Sequence, residues 1–168
     1  LSGCPSGEIP RLLVQGRSDD VQSTANWYRE VFDDRFYLEL MQHEGVADLP
    51  IINKGLTQLA EETKIPLVAT NDTHYTLQDE HDLHDILLCI QTNTSINDPK
   101  RLKFDSNSFY LKSEDEMSAL WPEIPEALAN TQRIADSCDL DIDLGRMRLP
   151  KFQTPNGVDS FEHLRDLA

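Results

Sequence analysis

An acid and an imidazole two residues apart, Asp72 and His74, stand in Asn71-Asp72-Thr73-His74 directly behind the apolar run Ile65-Pro66-Leu67-Val68-Ala69-Thr70. Side chains two apart in extended backbone point the same way, so this pair could converge on one metal ion or one phosphate oxygen. A helix-capping Asp72 beside a buried His74 explains the same spacing. Glu39 and His43 form a second acid and imidazole, at and just beyond Arg35-Phe36-Tyr37-Leu38-Glu39-Leu40-Met41. A carboxylate among such apolar neighbours is costly to bury without a partner, whereas a solvated strand-end Glu39 and a surface His43 need none. Cys4 lies in a glycine-flanked turn, either as a small buried thiol or as a ligand whose thiolate is held by a nearby cation or imidazoles. His81 and His84, beside Asp82 and Asp85, have one-face ligand spacing on a helix, and a solvated polar face accounts for them equally. Cys89 and Cys138 fall on apolar helix stripes and read as core. The basic cluster Lys100-Arg101-Leu102-Lys103, near Phe104, Phe109 and Tyr110, could stack on nucleic acid or anchor the chain against another surface.

Positioning these groups requires elements, and the periodicity supplies them. A turn-rich start, with Ser6 as N-cap, leads into a helix with Ile9, Leu12 and Leu13 on one face, stopped by Gly16. A second helix runs from about Asp19 to Phe32 on Val21, Ala25, Tyr28 and Phe32. Residues 35–41 and 65–70 read as short buried strands, separated by a helix from about Asp48 to Lys64 whose stripe is Ile51, Ile52, Leu56, Leu59 and Ala60. A strand, helix and strand in this order predict a parallel pair with a right-handed crossover. Active sites of parallel α/β proteins form at the carboxyl ends of the strands, so both acid–imidazole pairs should share one rim. A long helix from about Leu77 to Asn93 should bury Leu83, Ile86, Leu87 and Ile90. Ser108 to Lys112 reads as a strand. Glu114 to Leu120 reads as a helix capped by Ser113 with Glu116 at the capping-box position, and a further helix covers about Pro125 to Cys138. Residues 145–159 read as a linker, and a new helix starts at Ser160.

With 168 residues, 39% hydrophobic and 27% charged, the chain is expected to form a soluble globular domain rather than a disordered tail or a membrane span. The longest apolar run, Ile86 to Ile90, is far below the roughly 20 residues a span needs. A net charge of −15 repels a phosphate backbone unless metal ions or a partner supply positive charge. Three widely spaced cysteines and no secretory signal favour a reducing cytoplasm. No GxxxxGK[ST], GxGxxG or GxSxG motif occurs, which removes support for P-loop, Rossmann and hydrolase-elbow chemistry. A start at Leu1 without Met, and an end at Ala168 inside a helical pattern, are expected to be cuts in something longer.

Five stretches, in order, carry a resemblance: Ser2-Gly3-Cys4-Pro5-Ser6-Gly7-Glu8-Ile9-Pro10, Phe36-Tyr37-Leu38-Glu39-Leu40, Ala69-Thr70-Asn71-Asp72-Thr73-His74-Tyr75, His84-Asp85-Ile86-Leu87-Leu88-Cys89-Ile90-Gln91 and Phe109-Tyr110-Leu111-Lys112. Together they resemble the C-terminal part of the PHP domain of bacterial DNA polymerase III alpha subunits, and the match continues through the helix before Cys138 and Leu149-Pro150-Lys151-Phe152. The resemblance implies an α/β fold, part of a distorted seven-stranded (β/α) barrel, over residues 1–144. Residues 145–168 would be a helical and linker extension towards the polymerase core. It implies divalent metal ions as cofactors (zinc, manganese or magnesium), with Asp72 and His74 as the family's final Asp-x-His ligand pair, Cys4 as a thiolate ligand, and Glu39 and His43 as near-site contributors. Implied partners are DNA and other replicase subunits, the clamp and a proofreading subunit.

The departures shape the expectation. The family's early His-x-His pair and other early ligands are absent from this sequence, the polymerase aspartates are absent too, and Pro5 stands where the family usually has an aliphatic residue. Metal-activated water and in-line attack on phosphate would be the mechanism of a full site, including 3′–5′ exonuclease action. With Cys4, Asp72 and His74 alone the chain should be catalytically silent. The alternative is a structural module that braces the polymerase or holds a proofreading subunit; a free-standing phosphatase for small phosphates is a third reading. Unpaired strand edges should also make the chain self-associate or order poorly when isolated.

Overall fold

The computed structural model describes residues 1–104, 106–146, 149–150 and 152–168. Lys151, part of the Leu149 to Phe152 match, therefore lies outside the described residues. Two compact units divide at residue 138: residues 1–138 and residues 139–168.

In the first unit, α1 (Glu8–Val14) and α2 (Ser18–Phe32) precede β1 (Leu38–Leu40); α3 (Leu49–Thr63) then leads to β2 (Leu67–Ala69). Then come α4 (His81–Thr92), α5 (Glu114–Leu120) and α6 (Pro125–Ser137). The helix starts and stops follow local chemistry. A proline at the first turn opens α3, and Lys64 closes it in the left-handed region at φ 62°. Ser113 caps α5, its hydroxyl accepting from the Glu116 N–H while Glu116 reaches back to the Ser113 N–H. The α1 N-cap is Gly7 rather than Ser6, and no side chain caps it. Gly7 is required by space: a Cβ there would lie 2.6 Å from the Ser2 carbonyl oxygen. Gly7→Ala should therefore displace the Ser2 to Cys4 turn and lower stability by about 1–2 kcal/mol, read as a lower urea midpoint at unchanged slope.

The strand pair is parallel, with Leu38 opposite Leu67, Glu39 opposite Val68 and Leu40 opposite Ala69. Among the described residues the sheet has these two strands, so the structure shows an α/β unit and not a closed barrel. The expected strand at 108–112 reduces to one parallel bridge between Tyr110 and Tyr75. The reason is visible in the side chains: Asn71, not a neighbouring strand, takes the Tyr110 carbonyl at 2.5 Å. Alternate residues of each strand face its outer edge, and these edges are partly met. Ser2 donates its N–H to the Tyr37 carbonyl and accepts from the Glu39 N–H at 2.8 Å. On the other side Asn130 of α6 donates to the Leu67 carbonyl at 2.7 Å. Bare strand edges therefore give little ground for self-association.

The core gathers Ile9, Leu12, Val21, Ala25, Phe36, Leu38, Leu40, Ile52, Leu56, Leu59, Ile65, Ala69, Trp121 and Ala127, joining α1, α2 and α3 to the sheet, with α6 covering β2. Burial expectations are corrected at several places, beginning with Ile51 of the α3 stripe, which is 57% exposed. Leu83, Ile86, Leu87 and Ile90 are exposed, because α4 turns Leu88 and Cys89 inward. Cys138 is exposed at the end of α6, where the helix that should have buried it stops. Cys4 is exposed too, which removes its reading as a buried thiol. Phe32 is half-exposed, stacked with Tyr28 and Phe36 rather than enclosed.

The second unit holds α7 (Ser160–Leu167), capped by Asp159, whose carboxylate accepts from the N–H groups of Phe161 and Glu162.

Candidate functional site

The carboxyl ends of β1 and β2 open into two loops, 41–46 and 70–74, and these meet the 2–6 turn and residues Lys103, Phe104, Ser106 and Phe109 around a pocket of about 310 Å³. Cys4, His43, Asp72, Lys103, Phe104 and Phe109 line it. Of the two acid–imidazole pairs expected to share one rim, His43 and Asp72 line this pocket together, whereas Glu39 and His74 do not. Its local geometry differs from the extended backbone expected: Asp72 has φ 45°, in the left-handed region, which aspartate tolerates better than most residues. That turn brings Asp72 Oδ1 to 3.3 Å from His74 Nε2, with both side chains open to solvent at 40% and 36%. The His74 N–H donates to the Phe109 carbonyl at 2.8 Å, and its ring packs edge-on to Phe104 at 4.7 Å between centroids.

His43 belongs to the same pocket but not to the surface. Its ring is buried and stacked on Phe109, with centroids 3.9 Å apart and planes 9° from parallel, and its Nδ1 pairs with Ser108 Oγ at 2.9 Å. Burial, reinforced by the Lys112 charge, pushes its pKa down to about 4 against the pull of Asp72. The imidazole is neutral at neutral pH, as a metal ligand must be, and its enclosed Nε2 finds no hydrogen-bond partner among the described residues. Glu39 is directed elsewhere: its Oε1 accepts from Thr70 Oγ1 at 2.7 Å, tying the two strands together.

Sequence reasoning overlooked the network that holds this rim in place. Asn71 is buried, donates to the Tyr110 carbonyl at 2.5 Å and to the Ser108 carbonyl at 3.4 Å, and accepts from Lys112 Nζ at 2.8 Å. Lys112 also donates to the Ser108 carbonyl and lies 4.4 Å from the Tyr110 ring centroid. Partial burial lowers its pKa from the ordinary lysine value. The signal was available in Phe109-Tyr110-Leu111-Lys112, whose role as a clamp on the Asn71 loop only the tertiary fold reveals. His84, expected to be solvated or ligating, sits with its ring 5.5 Å from that of His74 and 5.0 Å from that of Phe104. Its pKa is lowered, chiefly by burial and then by its imidazole neighbours. His81 shares a hydrogen bond of 3.3 Å with the Phe104 carbonyl, which anchors the loop carrying the basic cluster. Arg101 of that cluster is engaged by Asp85 through both guanidinium nitrogens.

The donor types fit a divalent metal: a thiol, a neutral imidazole and an exposed Asp–His pair at one rim. Their number does not, because among the described residues no three His, Cys, Asp or Glu are placed to hold one ion. By themselves these residues form part of a site.

A further consequence of the clamp concerns acid. Tyr110 donates its hydroxyl to Glu116 at 2.5 Å, and Ser113 adds its N–H and its hydroxyl at 2.8 Å each. The Tyr110 bond first, then those from Ser113, lower the Glu116 pKa from 4.5 to about 2. A carboxyl depressed in the folded state contributes stability above its unfolded pKa and loses it as pH falls through the folded value. The α5 cap should therefore be intact above pH 4.5 and lost on approach to pH 2. Carbon-detected NMR titration of the Glu116 carboxyl checks this, and Glu116→Gln should remove that part of the acid sensitivity.

Comparison with known proteins gives consistent matches. Residues 1–43 match the PHP domain family. The chain is 41% identical over 92% of its length to the DNA polymerase III subunit alpha of Borreliella burgdorferi, covering 13% of that protein. It is 42% identical over 97% of its length to that of Treponema pallidum, covering 14%. Against that of Thermus aquaticus it is 36% identical over all of its length, again covering 14%. The chain thus spans about 13–14% of the length of these relatives. By its sequence the chain is similar to one segment of the DNA polymerase III alpha subunits of these organisms, a segment that begins in PHP-domain sequence.

Proposed function

We propose that this chain works inside a replicative DNA polymerase alpha subunit, in the cytoplasm, as part of the PHP domain of a polypeptide that carries out DNA-directed DNA synthesis alongside a clamp and a proofreading subunit. In this reading β1 and β2 are two strands of a distorted seven-stranded barrel spanning residues 1–144, and residues 145–168 lead towards the polymerase core. Cys4, Asp72 and His74, backed by His43, form one wall of a pocket for zinc, manganese or magnesium and a DNA phosphate. The observation that supports this is the meeting of Asp72, Cys4 and His43 in one pocket, with His74 against Asp72, at the carboxyl ends of parallel strands.

When bound, divalent metals supply Lewis acidity and an activated water for phosphodiester hydrolysis. This chain's residues do the positioning: Asn71 and Lys112 hold the Asp72 loop, and the Phe109 carbonyl fixes the His74 backbone. Since among the described residues no three donors are placed around one ion, the isolated chain should release no mononucleotides from a 3′-labelled oligonucleotide with any of the three metals. Detectable metal-dependent release would contradict this reading.

A second reading has an observation of its own. The buried, stacked His43 joins the 41–46 loop to the 106–109 segment as a structural group would, which suits a domain that braces the polymerase. Asp72→Ala in the full-length alpha subunit separates the two. Loss of exonuclease activity with primer extension retained supports the metal pocket; unchanged exonuclease activity supports bracing.

A further inference from the structure

Two opposite sides of α4 are apolar. Its inner side turns Leu88 and Cys89 into the molecule, next to the Asp85–Arg101 pair. Its outer side presents Leu83, Ile86, Leu87 and Ile90, each 51–71% exposed. Those positions follow i, i+3, i+4 and i+7 spacing, an arc of about 100° running some 10 Å along the helix. A helix that is hydrophobic all round belongs in an interior, and contiguous exposed aliphatic side chains mark a surface meant to be covered.

We propose that this face of α4 docks against another part of the same alpha-subunit polypeptide, through an apolar surface that places lysine or arginine opposite Asp79 and Asp82. The inference rests on the alpha-subunit reading above. Two observations select this occupant. The stripe contains four aliphatic side chains and no polar one, the composition of a permanent interface rather than of a transient one. The relatives are about seven times as long as the matched segment, since it covers only 13–14% of them, so a covalently attached and always present cover is at hand. Charge argues against a second copy: at −15 each, two chains repel, and Asp82, 97% exposed at the helix start and 3.2 Å from His81 Nδ1, adds negative charge beside the stripe that a basic surface would complement.

Maleimide labelling of Ile86→Cys and Ile90→Cys tests this, with Leu83→Cys as a second reporter and the modified residue identified by peptide mass. Each cysteine should react rapidly in this chain and at least tenfold more slowly in the full-length alpha subunit alone. Equal rates in the two overturn the proposal. Protection that develops only on adding other replicase subunits assigns the face to a separate protein, and protection that rises with concentration of this chain assigns it to a second copy; both overturn it. Absence of primer extension by the full-length polypeptide strikes the alpha-subunit reading instead and leaves the labelling result readable on its own.

Discussion

Asn71→Leu is expected to lower stability by about 2–4 kcal/mol and to free the 70–74 loop from the 106–112 segment. The leucine fills similar space but leaves the Tyr110 carbonyl without its donor and Lys112 Nζ without one of its acceptors. Each buried polar group left unpaired costs roughly 1–3 kcal/mol. Asn71 is 8% exposed, so little water replaces what is lost. The local effect should exceed the global one. With the loop released, the left-handed turn at Asp72 loses its support and the 3.3 Å approach of Asp72 to His74 opens. Two measurements check this: urea unfolding for the stability, and the imidazole resonances of His74 for the pair. Lys112→Met should reproduce the part of the effect that runs through the lysine, and a double-mutant cycle should show the two changes to be non-additive.

Asn130→Leu should cost about 1–3 kcal/mol without disturbing the pocket. Asn130 is 1% exposed; its amide donates to the Leu67 carbonyl and its oxygen accepts from Arg133 at 2.8 Å. The substitution removes the only described donor to a carbonyl on the outer edge of β2, again at roughly 1–3 kcal/mol per unpaired group. A strand edge so exposed is also a template for pairing with another chain. The variant should thus unfold at lower urea and show concentration-dependent association in light scattering, while Asp72 and His74 resonances stay in place.

The parallel strand pair was legible because 35–41 and 65–70 are short, apolar and separated by one amphipathic helix, a pattern with few topological solutions. The capping box at Ser113 and Glu116 was legible for a similar reason, being a local exchange of hydrogen bonds. What failed was long-range. Periodicity marked Leu83, Ile86, Leu87 and Ile90 as a stripe, correctly, but a stripe does not say which side faces the core, and α4 carries apolar residues on both. Segment 108–112 has strand composition, yet the Asn71 side chain occupies the Tyr110 carbonyl that a partner strand would bond. In the site, the closeness of Asp72 and His74 followed from their separation in sequence but not the left-handed turn at Asp72 that brings it about, and the stacking of His43 on Phe109 joins residues 66 apart and leaves no local trace.

Paramagnetic broadening by Mn²⁺ in this chain examines the central geometry most directly. Titration into the millimolar range should broaden the amides of residues 4, 72–74, 104 and 109 together, weakly and reversibly with EDTA, because their loops surround a single partial pocket. Broadening concentrated in the acidic 139–143 segment, with the Asp72 and His74 amides untouched, would show that the strand ends do not gather a cation site.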